Sequence, residues 1–229
     1  PAAARGGRRV GRMAAAYDLL VLGAGSAGLI AAPFARAVGA RVLLVEKERI
    51  GGDCTWTGCV PSKAFIHTAG IVQCLRQAAA FGAASVAPTV DASSVMDRVH
   101  AAIERVYAFE TADELARQGI DVAFGPARFV GRDAITIGDS RATGRRFIVC
   151  TGAEPLVPPI SGLADIELLT YYHVFALQTV ARRWLILVSG TNRSAFARSL
   201  PPTWPGARVC ERAMRVPAGR RRATSGAHR

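Results

Sequence analysis

The first half of the chain alternates short, wholly apolar runs with stretches whose apolar residues recur at helical spacing. YDLLVLG (17–23) reads as a buried strand, GAGSAG as a glycine turn, LIAAPFARAVGA as a helix closed by glycine, and RVLLVE as a second strand, which together make a βαβ opening. Pro33 falls inside that helix, where it removes one backbone hydrogen bond and predicts a kink near Leu29. A further helix is predicted from Pro61 to about Ala79, and another over 91–119 with Val95, Val99, Ile103 and Val106 on one stripe. IDVAFGPARFV, AITIG and RFIVCTG read as short strands, and the proline-rich link EPLVPPISGL (154–163) precedes ELLTYYHVFAL and a new strand, RRWLILV.

That late strand repeats the opening. LLVLGAGSAGL, from residue 19, is echoed at an offset of 165 around LILVSGTNR, and GARV at 39–42 recurs at 206–209, two residues late, as a small insertion around PPTW would produce. The pattern therefore predicts an α/β chain with one complete dinucleotide-binding unit and an incomplete start of a second. The expected division is a leader over 1–12, a first domain over 13–180, and a degenerate second unit with a basic tail over 181–229.

Composition narrows the class. A chain of 229 residues, half of them apolar, can bury a sizeable core. Five cysteines are too few for the disulfide framework of a small secreted domain, and no signal-peptide pattern precedes them, so a reducing, cytoplasmic setting is expected. No apolar run approaches the roughly 20 residues a membrane helix needs, so no membrane span is expected. The net charge of +12 points to a polyanion until it is located along the chain. Residues 1–12 hold four arginines and no acid, and 201–229 hold seven arginines against Glu211 alone, so the body is nearly neutral. Only Trp204 interleaves those arginines, which makes solvated tails, without specific nucleic-acid recognition, the expected reading.

Two stretches carry chemistry. Gly23, Gly25 and Gly28 follow a strand and open a helix, and Glu46 stands at the end of the next strand. The first glycine would make the tight turn, the second would admit a pyrophosphate to the backbone, and the third would let helix and strand pack closely, with Glu46 accepting ribose hydroxyls. The second stretch is GGDCTWTGCVPSK (51–63), with cysteines five positions apart. In a regular helix i and i+5 are separated by about 7.5 Å of rise, beyond the Cα spacing of up to about 7 Å that a disulfide tolerates. A bond between Cys54 and Cys59 therefore requires a distorted segment, for which Gly58 is suited, and so short a bridge would be easily reduced. A redox pair, a zinc site and inert cysteines are the alternatives; His67, Cys74 and Cys150 offer zinc no second ligand pair, and no metal site is expected.

With these stretches in order, the chain resembles the N-terminal FAD domain of the class I pyridine nucleotide-disulfide oxidoreductases, the family of dihydrolipoamide dehydrogenase, glutathione reductase and mercuric reductase. GAGSAG, VEK, the CxxxxC segment, GPARF and CTGAEP carry the likeness over roughly residues 17–180. The resemblance implies a Rossmann-like, FAD-binding parallel sheet with a small antiparallel meander, and a small-molecule disulfide or metal ion as substrate. It implies that Gly23, Gly25, Ser26 and Gly28 hold the pyrophosphate with Gly52 and Asp53 beside it, that Glu46 and Lys47 serve the adenosine end, and that Ala127 meets adenine through its backbone. Thr151 and Gly152 would line the flavin. Cys54 would attack substrate, Cys59 would face the flavin as a thiolate, and Lys63 would lie beside the flavin's reactive nitrogen and favour that thiolate.

Departures from the family pattern carry their own expectations. Asp53 stands where many relatives have threonine, and its carboxylate would repel a pyrophosphate unless turned away. Trp56 and Thr57 replace Asn-Val and leave the substrate open, and Cys150 reads as a small buried apolar group. Where the family has its NAD(P)H glycine motif, Val188 replaces the turn glycine and Arg193 the packing glycine, with Pro201, Pro202 and Pro205 after them. No NAD(P)H site is expected, nor the family's dimerisation domain. The resulting expectation is a truncated flavin-to-disulfide relay, with a redox-switch module or a non-functional product as its rivals.

Overall fold

The computed structural model describes residues 16–84, 88–177, 183–187 and 208–212, so the expectations placed on 1–12, 188–193 and 201–205 lie outside the described residues. The βαβ opening forms as patterned: β1 (Tyr17–Leu22), α1 (Ser26–Ala37) and β2 (Val42–Glu46), with the strands parallel and Leu19 opposite Val42. Helix α1 runs through Pro33 without interruption. Strand β3 (Asp121–Phe124) joins β2, and β6 (Ser140–Val149) joins β1, both in parallel. From β6 the sheet continues antiparallel through β5 (Ala134–Ile137) to β4 (Ala127–Phe129), giving the order β3-β2-β1-β6-β5-β4. This is the α/β sheet with meander that the sequence predicts. Strand β6 serves both parts, since 140–143 pair with β5 and 144–149 with β1.

Successive side chains of a strand face opposite sides, and a parallel sheet is covered on both, so the middle of each central strand is apolar on both faces. Leu20, Leu22, Leu43 and Val45 pack on one face with Ile135, Ile137 and Ala142 of the meander. Leu19, Val21, Val42 and Leu44 pack on the other with Ala32 of α1, Ile50, Leu115 and Ile120. Each fully buried Leu, Ile or Val contributes about 1.5–3 kcal/mol of transfer free energy. The register across the sheet is also tied by the Tyr17 hydroxyl, which donates to Asp121 Oδ2 at 3.0 Å.

The helical layer departs from the sequence reading in two places. Helix α2 (Gly52–Trp56) is followed by α3 (Cys59–Gln77), which starts two residues before Pro61; proline is tolerated there because first-turn N–H groups have no intrahelical partner. The single helix predicted over 91–119 is two, α4 (Ala92–Tyr107) and α5 (Ala112–Arg117). Thr111 makes the second start by accepting the Glu114 N–H on its hydroxyl at 3.2 Å. Val95, Val99 and Ile103 of the predicted stripe are buried with Phe65, Met96 and Phe175 in a third cluster, while Val106 is half-buried. Phe175 follows α6 (Tyr171–Val174), and its carbonyl meets His100 Nε2 at 2.9 Å, so the chain after the proline-rich link returns to the α3–α4 layer.

Strands β7 (Arg183–Leu187) and β8 (Arg208–Arg212) form a separate parallel pair. Trp184 lies opposite Val209, the register that the echo assigns to the counterparts of Leu19 and Val42. Ile186 packs against the third cluster. Among the described residues no helix is long and apolar enough to cross a membrane.

Candidate functional site

The parallel strands β1, β2 and β6 end on the same side of the sheet, at Gly23, Glu46 and Cys150. Gly23 turns with φ +104° and donates its N–H to the Val45 carbonyl at 2.7 Å, and its Cα abuts the Cys150 carbonyl so closely that no side chain fits. Gly28 abuts the Gly23 carbonyl in the same way. Helix α1 thus begins directly on the strand end, with Gly25 as its cap, no side-chain cap and no acid in its first turn. Its N-terminal N–H groups and dipole match an anion.

The Glu46 carboxylate closes this turn from the side. Its Oε2 accepts the Ala24 N–H at 2.8 Å and its Oε1 accepts the Glu48 N–H at 2.9 Å. A carboxylate has about four acceptor sites, so two stay open for hydroxyl donors. The Gly125 N–H donates to the Glu46 carbonyl at 2.8 Å, which brings the Gly-Pro-Ala step ending at Ala127 to the same strand end. Cys150, whose N–H donates to the Leu22 carbonyl at 2.7 Å, packs as a half-buried apolar group, and Thr151 and Gly152 follow it as exposed residues. Ser26 is exposed at the start of α1. Lys47 turns outward and pairs with Glu48 at 3.3 Å.

The cysteine segment lies on the glycine turn through a backbone contact. Gly51 donates its N–H to the Ala24 carbonyl at 2.9 Å, and a Cβ on Gly52, at φ +56°, would fall 2.7 Å from the Gly25 Cα. Between α2 and α3 the chain breaks its helical path at Gly58, with φ −121° and ψ −107°. A Cβ there would lie 2.8 Å from the Asp53 carbonyl oxygen, so only glycine lets the two turns approach. The helical path between the two cysteines is therefore broken.

Cys54 and Cys59 are free thiols, half-buried and exposed respectively. The Cys59 thiol is pushed above its ordinary value, first by its hydrogen bond with Cys54, then by desolvation and by charge on Cys54. Lys63, exposed one turn along α3, opposes this with the sign the sequence assigns it, but the neighbouring thiol outweighs it.

Several side chains around this segment escaped sequence reasoning. The Thr55 hydroxyl, 2% exposed, donates to Glu110 Oε2 at 2.8 Å. Glu110 sits in the gap between α4 and α5, hidden by reading that stretch as one helix; the Thr111-x-x-Glu114 start signal could have found it. Trp56 donates its indole N–H to the Ile50 carbonyl at 2.7 Å and stacks near Tyr107 and Arg49, so it anchors the segment. The Tyr171 hydroxyl donates to Asp53 Oδ2 at 2.9 Å. Burial first, then Tyr172 and Asp53, push the Tyr171 phenol well above its ordinary value, so it stays a donor. His67 and Cys74 are exposed on α3, and no group of three His, Cys, Asp or Glu able to hold a metal occurs among the described residues.

The chain is 29% identical to a mercuric reductase of Lysinibacillus sphaericus over 174 residues, 76% of this chain and 32% of that protein. It is 32% identical to a glutathione reductase of Burkholderia cepacia over 182 residues, 79% of this chain and 40% of that protein. The chain thus spans about a third to two-fifths of the length of these curated relatives. It shares its fold with the HOCl-induced flavoprotein disulfide reductase RclA from Escherichia coli, at a TM-score of 0.70 and 23% identity, covering 85% of this chain and 41% of that one. The family model for pyridine nucleotide-disulphide oxidoreductases matches residues 17–188, and the chain belongs to that family.

Proposed function

We propose that this chain supplies the flavin-and-dithiol part of a disulfide oxidoreductase, binding FAD at the glycine turn and passing an electron pair between that cofactor and the Cys54, Cys59 pair. The observation that carries the reading is the Gly25 to Gly52 backbone contact, which joins an anion-ready helix terminus to the segment holding both thiols. The residues fit the group: a Cβ at Gly23, Gly28 or Gly52 would collide with backbone, so the chain lies bare around the turn, and Glu46 keeps two acceptor sites for ribose hydroxyls. Gly23, Gly25, Ser26 and Gly28 would hold the pyrophosphate, Glu46 and Ala127 the adenosine, and Lys63, Thr151 and Gly152 the ring end. FAD supplies a two-electron acceptor and donor when bound.

The thiols do the rest. The Cys54 thiolate attacks one sulfur of a small-molecule disulfide, forming a mixed disulfide and releasing the other half as a thiolate that takes up a proton. Cys59 then attacks the Cys54 sulfur, closing the intrachain disulfide and expelling the second half. Two thiols thereby give up two protons and two electrons, and the substrate receives them. A soft metal ion bound between the two sulfurs is the other substrate class that a paired thiol site accepts. Such chemistry belongs in a reducing cytoplasm, where the pair rests as thiols. NAD(P)H is not expected to reduce the chain, because Val188 and Arg193 depart from the glycine pattern of a nicotinamide site. No specific nucleic-acid or membrane partner is expected.

The test is one absorbance spectrum of protein refolded with excess FAD, before and after dithionite. Flavin should be retained on gel filtration, and reduction should bring a long-wavelength thiolate band that Cys59→Ser removes and Cys54→Ser strengthens. Absence of retained flavin overturns the reading, and steady NAD(P)H oxidation overturns the claim about the nicotinamide site.

A further inference from the structure

Asp53 is the residue that fits the proposed flavin site least well. It directly follows Gly52, whose Cα lies against that of Gly25, so its carboxylate belongs to the immediate surroundings of the turn where the pyrophosphate would bind. Two anions there repel each other. The structure gives that carboxylate a partner from far along the chain. The Tyr171 hydroxyl donates to its Oδ2 at 2.9 Å across a separation of 118 residues. The phenol does not reach it by chance of a loose loop. Thr170 caps α6 by accepting the Tyr172 N–H, the ring of Tyr171 lies 4.6 Å from that of Tyr172, and Phe175, one turn on, is 5% exposed in the α3–α4 cluster.

We infer that Tyr171 is a positioning residue for flavin binding: its hydroxyl holds the Asp53 carboxylate off the phosphate side of the site, so that an acid is tolerated beside an anionic cofactor. The inference rests on the flavin reading above. It links the cofactor site to the segment that follows the proline-rich link, because anything that shifts α6 releases the carboxylate. A merely structural tie would act on FAD affinity whatever the charge at position 53.

A double-mutant cycle separates the two. FAD dissociation constants are measured by quenching of flavin fluorescence for the wild-type chain, Tyr171→Phe, Asp53→Asn and the double variant, with thermal melting of each apoprotein recorded alongside. Tyr171→Phe should weaken FAD about tenfold. Asp53→Asn should bind FAD at least as tightly as wild type, and adding Tyr171→Phe to it should change nothing further. An equal loss in both backgrounds, or no loss in either, overturns the inference while leaving flavin binding intact. A wild-type chain that binds no FAD removes the flavin reading, and this inference with it.

Discussion

Strand pairs β1–β2 and β7–β8 share a direction, a register and a sequence pattern, yet they have different surroundings. Leu20 of β1 is fully buried, and its counterpart Leu185 of β7 is 60% exposed. The first pair lies inside a six-stranded sheet with β3 and β6 on its flanks, helix α1 on one face and the meander on the other. The second is two-stranded among the described residues. An apolar run therefore encodes the capacity to be core, and the neighbours decide whether it becomes core.

The largest effect should come from truncating the two counterparts. Leu20→Ala is expected to destabilise by about 2–5 kcal/mol, and Leu185→Ala by about 1 kcal/mol or less, read by urea denaturation. Equal losses would break the comparison. Glycines offer the same contrast at closer range. Gly58→Ala should cost about 1–3 kcal/mol and slow air oxidation of the Cys54, Cys59 pair, because its Cβ meets the Asp53 carbonyl. Gly70→Ala, on the same α3 with no atom within 4 Å of its Cβ, should stabilise by about 0.5–1 kcal/mol.

A smaller effect sharpens the description of the first sheet. Tyr17→Phe removes the bond to Asp121 and should cost about 1 kcal/mol. Burial, then the Asp121 hydrogen bond and charge, push the Tyr17 phenol up to about 12 from 10.0. The contribution of that phenol is therefore complete below pH 10.0 and lost as pH rises through about 12, so the variant and the wild type should converge in stability there. The mildest test concerns ionisation alone. Since Cys54 is the first cause of the raised Cys59 thiol, Cys54→Ser should shift the pH profile of Cys59 alkylation downward. A profile that moves instead with Lys63→Gln, and not with Cys54→Ser, would assign control to the lysine.

The elements with a strong period were legible in advance. YDLLVLG, GAGSAG and RVLLVE fix a βαβ unit because burial on two faces and a glycine turn leave few other solutions, and helix geometry marked Gly58 as suited to the distortion that a Cys54–Cys59 bond would require. What could not be read were contacts between residues distant in sequence. Nothing local to Thr55 or Asp53 points to Glu110 or Tyr171, and reading α4 and α5 as one helix concealed the corner that carries Glu110. The sign of the Lys63 effect was available from spacing, but its size relative to Cys54 depends on a thiol-to-thiol approach that only the fold supplies.

The pairing of β1 with β6 also sets a timetable for the nascent chain. Tyr17 lies opposite Gly144 and Leu22 opposite Val149, so β1 finds one of its two neighbours only when the ribosome has added more than a hundred further residues. At about 5–20 residues per second that interval lasts roughly 6–25 s. During it one edge of β1 presents unpaired backbone groups beside the apolar side chains of Leu19 to Leu22, and β2, whose partner β3 comes only slightly earlier, cannot cover it. Slow translation between residues 46 and 140 would lengthen that exposure.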